Sequence, residues 1–137
     1  MIATLDTNVL ISAVLFGGNP GAILKAAIEG AYTLALSPAI VDELEGVLLR
    51  PKFGLGSETV HVLIREIEDL ALVCYPSKSH RIIDDDPADG AVVDCAVEAK
   101  ANYVVSGDRH LLSRDFVEGI PVASVPVFLG ILTTHRR

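Results

Sequence analysis

Short apolar runs of strand length alternate with segments of helical period along the chain, and this alternation limits the fold more than any other feature. Ile2–Leu5, Tyr32–Leu36, Leu72–Tyr75, Tyr103–Ser106 and Val122–Ser124 read as strands. Between them, Val9, Leu10, Ala13 and Val14 repeat at helical spacing within Asn8–Phe16, and Ile23, Leu24, Ala27 and Ile28 do so before Gly30. Ile40, Val41, Leu44, Val47 and Leu48 form a third stripe, and Val60, Leu63, Ile64, Ile67 and Leu70 a fourth within Ser57–Ala71. Asp89–Lys100 and Pro126–Leu132 complete the helices.

Local signals mark where helices begin. Asn19 followed by Pro20, and Ser37 followed by Pro38, each offer a capping side chain and then a proline whose missing N–H costs nothing at the first helical position. Pro51 ends the third helix, and the polar segment Pro76–Pro87 reads as a loop. Strands alternating with helices predict a three-layer α/β/α sandwich around a mostly parallel five-stranded sheet. The 137 residues, half of them apolar, suit one domain spanning 1–137 without disulfide support. Cys74 and Cys95, each within an apolar segment, read as reduced core thiols.

No apolar run approaches the roughly 20 residues of a membrane helix, and no secretory leader pattern opens the sequence. The expectation is a soluble, cytoplasmic protein. Eleven basic and eighteen acidic side chains give a net charge of −7, which argues against broad electrostatic adhesion to nucleic acid. Carboxylates that bind cations count fully in that sum, so a nuclease is not excluded.

In a parallel sheet, ligands bind beyond the carboxyl ends of the strands. Asp6 follows the first strand and Asp108 stands two residues beyond the fourth, while Glu43 and Asp89 lie in the first turns of helices leading away from that edge. Like charges about 4 Å apart repel by about 1 kcal/mol even in water, so convergence calls for a dication. Oxygen-only donors favour Mg²⁺ or Mn²⁺ over zinc or copper, and such a metal suggests phosphate chemistry.

Each acid also has a structural alternative. Asp6 can cap the following helix, Asp89 can close a capping box begun at Asp86, and Asp108 can belong to a turn after Gly107. Glu43 and Glu45 flank the same apolar stripe, so periodicity leaves both open, and Glu43 taken alone reads as a solvated charge. Asp89 projects beside Val92, Val93 and Ala96, whereas Asp94 points roughly 140° away, which favours Asp89 as the inner ligand. Asp84–Asp86 reads as a solvated loop, and the four histidines show no ligand spacing. Arg109 and His110 adjoin Asp108 and could meet a phosphate, with Arg50 and Lys52 weaker candidates of the same kind.

Three segments, LDTNVLISAV, SPAIVDELEGVLLRPKF and DDPADGAVVDCAVEAKANYVVSGDRHLL, together resemble the PIN-domain family in order and over nearly the whole chain. The likeness is closest to a bacterial and archaeal group described as toxin components of toxin–antitoxin pairs. The resemblance implies that Asp6, Glu43, Asp89 and Asp108 are the acidic metal positions, which selects Glu43 over Glu45. It implies supporting roles for Asn8 and Ser106 and a further acid at Asp94. Gly90 departs from the polar residue usual there, and Asp94 stands where many members carry Glu. The resemblance further implies hydrolysis of single-stranded RNA to 3′-hydroxyl and 5′-phosphate ends, with Mg²⁺ or Mn²⁺, an antitoxin partner and a homodimer.

Other classes fit less well. A haloacid-dehalogenase-like phosphatase with Asp6 as nucleophile needs a second Asp two residues on, where Asn8 stands, and a receiver-like signalling domain needs a lysine that the segment after Ser124 lacks. A PIN fold kept as a binding or scaffold module remains the non-enzymatic alternative.

Overall fold

The computed structural model describes residues 1–77 and 87–135, and the side chains of Pro87, Ala88, Asp89 and His135 lie outside that description. The acidic stretch Asp84–Asp86 and most of the segment read as a loop therefore fall outside the described residues.

Ala3, Thr4 and Leu5 are all fully buried, as expected for an inner parallel strand covered on both faces. This strand, β1 (Ile2–Leu5), lies between β2 (Thr33–Leu36) and β4 (Tyr103–Val105), with Ala3 opposite Leu34 on one side and Tyr103 on the other. β3 (Leu72–Val73) adds beyond β2, and β6 (Ile120–Ala123) beyond β4, all parallel. The mostly parallel α/β sheet read from the sequence is present, with six strands among the described residues where five were expected. The addition is β5 (Phe116–Val117), antiparallel to β6, and the order is β3-β2-β1-β4-β6-β5.

Two helices, α1 (Thr7–Leu15) and α2 (Gly18–Ile28), connect β1 to β2. Asn19 does not cap α2: Gly17 does, at φ 72°, followed by Gly18 at φ 62°. Both values are cheap only for glycine, so the turn begins two residues earlier than the Asn-Pro pair suggests. α3 (Pro38–Leu48) starts as read, with the Ser37 hydroxyl accepting the Ile40 amide at 3.5 Å and Pro38 in the first turn. A 3₁₀ turn (Pro51–Phe53) and α4 (Ser57–Leu70) lead to β3, and α5 (Pro87–Ala99) leads to β4. A short α6 (Arg109–Leu112), not anticipated, follows β4, and α7 (Val125–His135) follows β6.

Helices cover both faces of the sheet. Thr4 points at α5, where its hydroxyl lies 3.8 Å from Cys95 Sγ. Alternation turns Ala3 and its register partner Tyr103 the other way. There the Tyr103 and Tyr32 rings meet Phe128 of α7, with centroids 5.8 and 5.1 Å away, and the Tyr32 hydroxyl donates to the Ile23 carbonyl of α2 at 3.0 Å. Burial raises the Tyr32 phenol well above its usual range, keeping it a neutral donor. Among the described residues, no single helix is long and apolar enough to cross a membrane.

Candidate active site

Where β1 ends, the Asp6 amide donates to the Val105 carbonyl of β4 at 2.9 Å, which fixes Asp6 on the carboxyl edge between two inner strands. Its side chain is only 3% exposed. A buried carboxylate is costly unless it accepts hydrogen bonds. Oδ1 accepts the Asn8 amide at 3.2 Å, and Oδ2 accepts the Ser106 hydroxyl at 2.7 Å. Asp6 is thus the cap of α1, whose N-terminal dipole favours the negative charge.

Ser106, fully buried, follows β4 and is locked by its amide donating to Ala123 O at 3.1 Å. While its hydroxyl donates to Asp6, the same oxygen accepts the Asp108 amide at 2.9 Å. Asp108 caps α6 by accepting the His110 amide through Oδ1 at 2.7 Å. Asp6 and Asp108, read from distant parts of the sequence, are therefore joined through one hydroxyl.

Glu43 reaches the same region from α3, its Oε2 3.4 Å from the Thr7 hydroxyl. Thr7 is buried, and α3 packs on α1. Glu45 is half-buried and Asp42 exposed. Thr7 was not singled out in the sequence; its one signal is a hydroxyl directly after Asp6 in the first turn of α1.

A cavity of about 530 Å³ opens beside Asp108, lined also by Asn8, Ser12, Gly107, Arg109 and His110. The two basic side chains are exposed at its mouth. Asp94 is elsewhere: it lines a second cavity of about 460 Å³ with Ser37, Pro38, Tyr75 and Pro76. Arg50 and Lys52 sit at the end of α3 and in the 3₁₀ turn, lining neither cavity, with the Lys52 ammonium 5.1 Å from the Phe53 ring centroid. Asp89 is the third residue of α5, and its side chain lies outside the described residues.

The oxygen-only donors suit a hard divalent cation. Among the described residues, no three His, Cys, Asp or Glu side chains gather closely enough to hold a metal ion. Asp6, Glu43 and Asp108 approach through the Ser106 and Thr7 hydroxyls instead.

Asp6 is buried, and Glu43 and Asp108 half-buried, near the carboxyl edge of a mostly parallel sheet, where α/β folds of this kind bind their ligands. The family model for the PIN domain matches residues 3–110, and the chain belongs to the PIN-domain family. Members are generally metal-dependent nucleases, typically using divalent ions such as Mg²⁺. No curated protein matches the chain significantly.

Proposed function

We propose that this chain is a divalent-metal-dependent endoribonuclease that hydrolyses single-stranded RNA, acting as the toxin of a toxin–antitoxin pair, homodimeric and cytoplasmic. The observation that carries the catalytic part is the buried Asp6 carboxylate held by Ser106, whose oxygen also takes the Asp108 amide. The toxin, antitoxin and dimer assignments rest on family likeness.

Asp6, Glu43 and Asp108 would hold Mg²⁺ or Mn²⁺, with Asp89 of α5 completing the set. The ion supplies Lewis acidity, which acidifies water and offsets charge growing on the phosphate. Ser106 orients Asp6 and ties its position to that of Asp108. Thr7 orients Glu43 in the same way. Arg109 and His110, on the rim of the larger cavity, meet the phosphate of the bound strand. Asp89 would take the proton of the attacking water, whose oxygen bonds to phosphorus as the bond to the 3′-oxygen breaks; that oxygen takes a proton from solvent, leaving 3′-hydroxyl and 5′-phosphate ends. Asp94, which lines the second cavity on the same sheet edge, would be a further acid beside this set.

Incubating end-labelled single-stranded RNA, duplex RNA and single-stranded DNA with the protein in Mg²⁺, Mn²⁺ or EDTA tests this reading. Internal cuts in single-stranded RNA that vanish in EDTA are expected. Intact RNA in both metals would turn the assignment toward a binding module.

A further inference from the structure

The second cavity lies on the same sheet edge as Asp6. Thr4 pairs with Ala35 and Leu36 with Val73, so the registers carry on to set Asp6 beside Ser37 and Ser37 beside Cys74. Tyr75 follows, two strand spacings or roughly 10 Å along the edge from Asp6. Its ring is 74% exposed, an unusual position for so large an apolar surface, and it borders the cavity with Pro76, Pro38, Ala91 and Asp94.

The segment carrying Tyr75 is anchored on both sides. The Cys74 amide donates to Leu36 O at 2.7 Å. The Ser77 amide and hydroxyl both donate to Glu98 Oε1 of α5, at 3.0 and 3.1 Å. The ring is therefore presented from a fixed backbone. Charge separates the two cavities: Arg109 and His110 line the one beside Asp108, while the half-buried Asp94 carboxylate lines this one. A phosphate is repelled by that carboxylate, whereas the neutral face of a base is not.

We infer that the Tyr75 cavity holds an unpaired nucleobase of the RNA, stacked on the Tyr75 ring while the backbone passes Asp6 on the sheet edge. This rests on the ribonuclease reading and deepens it, because a base can enter only when unpaired, which selects single strands. Stacking needs a π-face and no base-specific donor, so the subsite tolerates any base.

The chain has no tryptophan, so Tyr75→Trp provides a single indole reporter. In EDTA, which prevents cutting, a short single-stranded RNA should quench its emission, and neither the same RNA as a duplex nor an abasic strand should do so. Tyr75→Ala should weaken RNA binding about tenfold or more while Tyr75→Phe retains it, and in cleavage assays Tyr75→Ala should raise KM with kcat preserved. An unquenched indole on RNA that anisotropy shows to be bound, or Tyr75→Ala binding like wild type, overturns the subsite and leaves the nuclease reading standing. Quenching without any metal-dependent cutting keeps the subsite and overturns the hydrolysis. Failure of every variant and of wild type to bind RNA overturns both.

Discussion

Ser106 donates its hydroxyl to Asp6 Oδ2 at 2.7 Å from a position one hundred residues further along the chain. The contact closes the junction between β1 and β4 at the sheet edge, and Asp108 is attached to the same oxygen through its amide. One small side chain thus sets the separation of two acids, and it does so without exposure to solvent.

Ser106→Ala removes both bonds at once and leaves a buried carboxylate short of a donor. The expected cost is about 1–3 kcal/mol of stability, measured by urea unfolding, with RNA cleavage reduced about tenfold or more. A variant with unchanged stability and unchanged cleavage would show that the hydroxyl does not hold Asp6.

Thr7→Val keeps the shape of the side chain and removes only the hydroxyl facing Glu43. Because that bond is long, at 3.4 Å, stability should change by less than about 1 kcal/mol. The Mg²⁺ concentration giving half-maximal cleavage should rise. An unshifted metal dependence would remove Thr7 from the positioning of Glu43.

Cys95 is fully buried, and desolvation pushes its thiol from 9.0 up to about 12. The unfolded chain releases that proton near pH 9 and the folded one does not, so the folded state binds more protons between pH 9 and 12 and stability falls as pH rises through this window. Replacing Cys95 by Ala should flatten the decline in urea midpoints. At pH 8 the native thiol should resist alkylation and react once the protein is unfolded, as followed by mass spectrometry; prompt native labelling of Cys95 would contradict its burial.

Phe128 is fully buried and meets Tyr32 edge to face at 5.1 Å, with Tyr103 at 5.8 Å. Phe128→Ala should cost about 3–5 kcal/mol, a large part of the stability of a domain this size. A loss below about 1 kcal/mol in denaturant unfolding would mean that α7 contributes little to the core.

The features legible in the sequence are those fixed by local chemistry. Ser37 and Pro38 announce α3 because a cap and a first-turn proline act within four residues. Asp6 and Asp108 could be placed on one edge because parallel strands all end there. The β5–β6 hairpin was hidden because its turn, Glu118 at φ 49° and Gly119 at φ 78°, puts a glutamate where hairpins usually carry Asn, Asp or Gly. Gly17 and Gly18 displaced the start of α2 from the Asn19 cap through backbone freedom that no side-chain pattern reveals. The contact between Thr7 and Glu43 and the cavity shared by Tyr75 and Asp94 depend on segments meeting across the fold, which spacing along the chain does not reveal.

The most direct test of the central claim compares wild type with Asp6→Asn, purified identically, on one labelled single-stranded RNA in Mg²⁺ or Mn²⁺. Asparagine keeps the acceptor oxygen that caps α1 while removing the charge, so the metal loses a ligand; its amide nitrogen then faces the Ser106 oxygen as a donor, and urea unfolding of the variant checks that the fold is retained. The expected result is cleavage by wild type and a loss of about a hundredfold or more in the variant. Equal cutting by both proteins would contradict the assignment of Asp6 and trace the activity to a contaminant.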